Sequence, residues 1–276
     1  MKTINYRGGQ ISTEEPLIMG ILNATPDSFS DGGQFFSAQK ALKRIEVMIN
    51  EGADIIDLGA ESTRPGAKPI SADEEIKRLA PLLAEYKNRF NTPLSIDTTK
   101  ADVAEFALNN GADMINDISG LTADERMIKL IAKKQCPVMI MHMQNTPQTM
   151  QDKPSYDNVV EEVYAFLAQQ IERCHAHQIH NVIIDPGIGF GKSLVHNVSL
   201  LKHLARFKTL EKPILIGTSR KSFIEKITGD SIENRLEGSL ASAIAAFLNG
   251  ASLFRVHDVA ATGKALAVAA AIKGAS

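Results

Sequence analysis

Glu51–Leu58 reads EGADIIDL, and the same design returns as NGADMIND at Asn110–Asp117 and as NGASLFRV at Asn249–Val256. In each, an amphipathic stretch gives way to a glycine, and an apolar run of strand type starts two or three positions later. Glycine tolerates the left-handed conformation that commonly closes a helix. Gly52, Gly111 and Gly250 therefore read as helix stops that launch strands.

Outward from these junctions the same alternation covers the chain. Eight short apolar runs stand out: LIMGILNAT, DIIDLGAES, PLSIDTT, MINDISG, PVMIMHM, VIIDPG, PILIGTS and LFRVHD. Between them lie longer segments with apolar residues at three- and four-residue intervals, among them 37–53, SADEEIKRLAPLLAEYKNRF, KADVAEFALNN, DERMIKLIAKKQ and NVVEEVYAFLAQQIERCHAHQ. Ser71 followed by Glu74 is a capping-box start. Strict alternation implies parallel pairing, and eight such units imply an α/β fold, the (β/α)8 TIM barrel; a doubly wound open sheet is the structural alternative. The segment KTINYRGGQIS precedes the first run and reads as a β-hairpin turning at Gly8 and Gly9, placed to cap the barrel floor. No linker divides the chain, so residues 1–276 read as a single domain.

Composition narrows the function classes. With 44% hydrophobic and 22% charged residues and a formal net charge of −2, the chain is globular and offers no broad nucleic-acid surface. Its two cysteines, Cys136 and Cys174, make neither a disulfide framework nor a CxxC pair. The N-terminus lacks a secretion-signal core and no apolar run reaches bilayer length, so the expectation is a soluble cytoplasmic protein without a membrane or nucleic-acid partner.

IIDPGIGFGKS, Ile183 to Ser193, ends like a nucleotide-binding loop. The phosphate signature GxxxxGK[ST] needs glycine where Pro186 stands, and the dinucleotide signature needs its third glycine at Lys192. Both readings fail, and a mobile glycine-rich loop after a strand is the plainer expectation.

In a (β/α)8 barrel the C-terminal strand ends and the loops after them converge on the active site. The residues there are Asn23; Glu61, Ser62, Thr63 and Arg64; Asp97; Asn116 and Asp117; His142; Asp185; Ser219, Arg220 and Lys221; then Arg255, His257 and Asp258. Asp97, Asn116 and Asp185 offer acceptors and an amide donor from three strands, and Lys221 adds charged donors. That inventory suits an amino-pyrimidinone edge, with Arg255 free to stack on the ring and reach a phosphate. Arg64, Arg255, His257 and Asn23 together suit a pyrophosphate with a divalent cation, which implies a heterocycle carrying a pyrophosphate.

The motifs MGILNATPDSFSDGG, IDLGAESTRPGA, SIDTTK, INDISG, MIMHMQ, IIDPGIGFGKS, ILIGTSRKSFI and FRVHDV, running in order from about Ile18 to Val259, resemble those of the dihydropteroate synthases. The resemblance implies a transferase of folate biosynthesis that forms a C–N bond, joining 6-hydroxymethyl-7,8-dihydropterin pyrophosphate to p-aminobenzoate. It implies that Asp97, Asn116, Asp185 and Lys221 hold the pterin, with Arg255 stacked on it and Met139 beneath. It implies catalytic roles for Asp97, Lys221 and Arg255. Asn23, Arg64, Arg255 and His257 are implied to bind the pyrophosphate, with Mg2+ at Asn23. Phe29, Thr63, Arg64, Pro65, Phe190, Lys221 and Ser222 are implied to shape the p-aminobenzoate pocket, where sulfonamides act as inhibitors. NATPDSFSDGG and ESTRPGAKP correspond to two mobile loops over the site. A homodimer is expected from the family, and the apolar stretches LASAIAAFLNGASLF and ALAVAAAI are candidates for its interface or for barrel packing. One departure is visible: Asn145 follows MHMQ where the family usually has glycine.

Two alternatives share parts of this pattern, a methyltetrahydrofolate-binding methyltransferase and a noncatalytic pterin-binding barrel. The former has no use for STRPGA or for Lys221 with Ser222. Cys174, His175, His177 and His180 in RCHAHQIH could ligate a metal by residue type, but histidine near a helix C-terminus is already favoured by the helix dipole. Glu61 reads either as a general base or as a carboxylate pinning the adjacent loop.

Overall fold

The computed structural model of the chain describes residues 3–24, 33–63 and 66–275. Phe29, Arg64 and Pro65, and most of NATPDSFSDGG, lie outside the described residues. A hairpin of β1 (Thr3–Tyr6) and β2 (Gly9–Ser12) comes first. Eight parallel strands follow: β3 (Leu17–Asn23), β4 (Ile55–Gly59), β5 (Leu94–Asp97), β6 (Met114–Asp117), β7 (Val138–Met141), β8 (Val182–Asp185), β9 (Leu215–Ile216) and β10 (Leu253–Val256). They are ordered β8-β7-β6-β5-β4-β3-β10-β9. A parallel bridge between Ile184 and Ile214, with Ile184 N donating to Pro213 O at 3.0 Å, joins the two ends and closes the barrel.

The repeated segment that announces the fold does so through one local device. Helices α1 (Gly33–Asn50), α3 (Ala101–Asn109) and α8 (Leu236–Leu248) each end two residues before Gly52, Gly111 or Gly250, whose φ values are +97°, +102° and +109°. The next amide then turns back onto the helix: Ala53 N to Met48 O, Ala112 N to Ala107 O and Ala251 N to Ala246 O, at 2.9, 3.0 and 3.0 Å. This is the six-residue closure of a Schellman motif, and each strand starts three residues after its glycine.

The remaining helices are α2 (Ala72–Arg89), α4 (Glu125–Lys134), α5 (Val159–Ala176), α6 (Leu194–Lys202), α7 (Ser222–Thr228) and α9 (Val259–Gly274). Ser71 caps α2 by accepting from Glu74 N at 3.2 Å, but the Glu74 carboxylate pairs with Arg78 Nε at 2.9 Å, so only half of the expected capping box forms. α2 runs through Pro81 because Leu79, Leu82, Leu83 and Tyr86 are buried on the barrel wall; that burial outweighs the lost backbone bond.

Strand parity divides the core in two. Ile56, Leu58, Ile96, Ile115, Ile140 and Ile184 face the helices, whereas Leu17, Met19, Ile55, Met114, Met139, Ile183, Leu215 and Leu253 fill the barrel interior. Ile4 of β1 is fully buried in that inner set and plugs the floor. The hairpin turns one residue earlier than expected, at Arg7 and Gly8, because Gly9 already pairs with Tyr6.

Candidate active site

One pleat above the apolar filling, the inward positions become ionic. Asp57, Asp97, Asn116, Asp185 and Arg255 follow Ile55, Ser95, Met114, Ile183 and Leu253 by two residues on their strands, so the period-two geometry of a strand turns them inward together. Asp57 is fully buried, and its Oδ2 accepts from Arg255 Nε at 2.6 Å and from Asn116 Nδ2 at 3.1 Å. Arg255 Nη2 donates to Asp97 Oδ2 at 2.8 Å. A single carboxylate thus aims the guanidinium and the amide that face the cavity, while its Oδ1 has no hydrogen-bond partner among the described residues. Sequence reasoning passed over Asp57, although an aspartate at the inward parity of DIIDLG was the available signal.

Burial pushes the Asp97 carboxyl well above the usual carboxylate range, Arg255 opposes the shift, and Asp57 adds to it. Asp185 is raised by burial against the pull of Lys221. Burial brings Lys221 down to about 8, with Asp185 resisting. For Arg255, burial works against the charge, but Asp57 and Asp97 outweigh it and hold the guanidinium more firmly protonated. A buried set of opposed charges of this kind is characteristic of functional sites.

A cavity of about 50 Å³ opens over this layer, walled by Asp97, Asn116, Met141, Asp185, Lys221 and Arg255, with Phe190 and His257 at its rim. A larger one of about 330 Å³ shares Asp97 and Ile118 with it and extends past Thr63, Lys100, Ser119 and Asn145. The charged groups concentrate on the smaller cavity, and the larger opens beside it. Met139 lies in the apolar filling, one pleat below; Met141 is the methionine that reaches the cavity.

His257 is set by Ser219, whose Oγ lies 3.0 Å from its Nδ1 and accepts from its backbone N at 3.2 Å. Asn23 stands at the end of β3, and a Cβ on Gly59 would lie 3.7 Å from its Oδ1 and 3.4 Å from Asp97 Cβ, so the glycine keeps the space between them open. Thr63 is half-buried on the larger cavity and Ser222 is exposed at the first turn of α7. Glu61 pins its loop: Oε1 accepts from Ile70 N at 2.8 Å and Oε2 from Lys100 Nζ at 2.8 Å. Lys100 also bonds buried Glu75 at 2.9 Å.

The glycine-rich segment after β8 is not the loose loop its composition suggests. Gly187, Gly189 and Gly191 all have positive φ, and every carbonyl from Gly187 to Lys192 has a donor. The donors are Phe190 N, Lys221 Nζ, Gln151 Nε2, Lys192 Nζ, the Tyr156 hydroxyl and Asn197 Nδ2, in that order. The loop holds Phe190 against Lys221, whose Nζ lies 4.4 Å from the ring centroid.

In RCHAHQIH, Cys174 is buried in the core, His177 Nδ1 lies 2.9 Å from Arg173 O and His175 Nε2 lies 3.1 Å from Lys212 Nζ. Among the described residues no three His, Cys, Asp or Glu side chains converge as a metal site, and no helix is long and apolar enough to cross a membrane.

The profile of the pterin-binding enzymes matches residues 19–257. The dihydropteroate synthase of Haemophilus influenzae is 48% identical over 255 residues, covering 92% of each chain. The chain belongs to the dihydropteroate synthases. Among solved structures, the Yersinia pestis dihydropteroate synthase in a sulfonamide drug complex aligns with a TM-score of 0.93 at 41% identity, covering 99% of this chain and 100% of that one. The Xanthomonas albilineans dihydropteroate synthase with 4-aminobenzoic acid gives a TM-score of 0.93 at 41% identity, covering 100% and 99%. This membership makes the chain an enzyme and sets aside the methyltransferase and noncatalytic readings. It also gives the Asn145 departure a physical account: Asn145 has φ +63°, the left-handed region that glycine favours and asparagine tolerates better than other side chains.

Proposed function

We propose that this dihydropteroate synthase joins 6-hydroxymethyl-7,8-dihydropterin pyrophosphate to p-aminobenzoate by a dissociative route, with the buried ionic layer as the pterin site. The C–O bond to the exocyclic methylene breaks first, and its electron pair leaves with the pyrophosphate. The aniline nitrogen then donates its lone pair to the methylene carbon, forms the C–N bond and loses a proton. Asp97 stabilises the pterin cation between these events, because a preorganised carboxylate in a water-poor site favours positive charge developing beside it. The observation that carries this reading is the pairing of Arg255 with both Asp57 and Asp97, which places a cation and a carboxylate on one cavity wall.

Asn116 and Asp185 are proposed to read the amino-pyrimidinone edge. The 50 Å³ cavity alone is far below the roughly 300 Å³ of an ordinary ligand pocket, so the substrates also need the adjoining 330 Å³ volume that meets it at Asp97 and Ile118. His257, Arg255 and Arg64 are assigned to the pyrophosphate. Asn23 offers one hard amide oxygen, so Mg2+ would be held there chiefly by the pyrophosphate oxygens and water, with Asn23 as the protein ligand. Held there, it would neutralise charge on the departing pyrophosphate. Thr63, Phe190, Lys221 and Ser222, with Phe29 and Pro65, are assigned to p-aminobenzoate and to sulfonamides that compete with it.

A homodimer is supported by Leu248, Val268 and Ile272, large apolar side chains exposed at the end of α8 and along α9. A cytoplasmic location is supported by the free, buried thiols of Cys136 and Cys174.

Mixing both substrates with Mg2+ tests the activity: dihydropteroate and pyrophosphate are expected in equal amounts. Asp97→Asn tests the route. Turnover should fall by roughly 100-fold or more while pterin pyrophosphate affinity changes far less; unchanged turnover removes Asp97 from the mechanism.

A further inference from the structure

We propose that Lys192 is a positioning residue for the second substrate, clasping the loop after β7 to the loop after β8 and so fixing Phe190 on the wall of the p-aminobenzoate pocket. The inference rests on the assignment of Phe190 to that pocket. Lys192 is 2% exposed, and among the described residues no carboxylate lies in ion-pair reach of it. Its Nζ instead meets His142 Nδ1 at 3.0 Å, His142 O at 3.2 Å and Phe190 O at 3.0 Å. When Lys192 is protonated its three N–H donors match these three acceptors, with His142 neutral and carrying its proton on Nε2; burial brings Lys192 down to about 7, with Asp185 favouring the charge. Burial with the Lys192 charge nearby drives His142 down to about 3, which agrees with a neutral ring.

A buried ammonium with no carboxylate bonded to it is costly even with the Asp185 charge favouring it, and an apolar side chain of similar length would fill the same space without that cost. Something other than filling therefore holds lysine at this position. The two loops approach backbone to backbone: a Cβ on Gly187 would stand 2.0 Å from His142 O, and one on Gly191 would stand 2.6 Å from Gln144 O. A Cβ has no room in that contact, and among the described residues Lys192 is the side chain that bonds a carbonyl on each side. Its bond to Phe190 O fixes the backbone of the residue whose ring faces Lys221. Tyr156 reinforces the same loop one residue on, through Gly191 O at 2.8 Å.

The test separates the two substrates. In Lys192→Met, which keeps length but no donor, KM for p-aminobenzoate should rise roughly ten-fold or more, while the dissociation constant of pterin pyrophosphate, measured without p-aminobenzoate, stays within about two-fold. Equal changes in both constants, or none, overturn the clasp. If Lys192→Met does not accumulate folded, Tyr156→Phe carries the test, with the same split at smaller size expected and its absence counting against the proposal. Phe190→Ala distinguishes the two levels of the argument. If it leaves KM for p-aminobenzoate unchanged, the pocket assignment fails and the clasp with it; if it raises KM and Lys192→Met does not, the clasp alone fails.

Discussion

Two layers of side chains line the same barrel one pleat apart. The lower is Met19, Ile55, Met114, Met139, Ile183 and their neighbours, closed from below by Ile4; the upper is Asp57, Asp97, Asn116, Asp185 and Arg255. Both are set by the same backbone, and a shift of two residues along each strand separates them. The lower layer stabilises by burial and packing. The upper layer gains little net stability from its ion pairs, because desolvation offsets most of their attraction. What it gains is direction: Asp57 fixes where Arg255 and Asn116 point. Substitutions one pleat apart should accordingly damage different properties.

The largest effect is expected at Asp57. Asp57→Asn should lower kcat/KM by roughly 100- to 1,000-fold, since Arg255 loses the carboxylate charge that aims it, while the remaining pair with Asp97 keeps the cost in thermal unfolding below the roughly 3–5 kcal/mol of a fully broken buried pair; steady-state kinetics beside calorimetry check the split. Met139→Ala should do the reverse, costing about 2–4 kcal/mol in denaturant unfolding while the folded enzyme keeps near-normal turnover. Loss of activity out of proportion to stability there would merge the two layers.

A smaller effect follows from the cations above the upper layer. Burial holds Lys192 at about 7 and Lys221 at about 8, below the roughly 10.4 of an unfolded lysine. Asp97, raised to about 7, opposes their effect at the start of the range, but from pH 7 to about 8.5 the two lysines prevail, the unfolded chain binds more protons than the folded one, and stability should rise with pH. Toward the top of that window and beyond it the buried thiols oppose the trend: burial raises Cys136 to about 12 and Cys174 to about 11, above the roughly 8.5 of an unfolded thiol. Urea midpoints at pH 7 and 8.5 read the sign. Smallest of all, Ser95→Ala removes a fully buried hydroxyl with no partner among the described residues, and should be neutral or stabilise by up to about 1 kcal/mol with turnover unchanged.

The eightfold alternation of strands and helices was legible in the sequence because apolar periodicity and the glycine stops are local signals. The ends of the strands were legible too: Asp97, Asn116, Asp185, Lys221 and Arg255 surround one cavity, as their positions after apolar runs implied. Depth was harder. Choosing Met141 over Met139 requires the register between β7 and β8, where Met141 stands opposite Asp185. Asp57 escaped notice because a strand-interior carboxylate acquires its meaning from Arg255, 198 residues away. Lys192 was judged against nucleotide loops, whereas its partner His142 comes from a different strand end, 50 residues earlier.

The barrel's closure has a mechanical consequence. β9 has only two residues, and its seam with β8 is a single bridge. The strands on either side of this join lead to Asp185 and to Lys221. A pterin gripped by both would span the thinnest part of the wall like a rivet, so that filling the site and fastening the cylinder become one event.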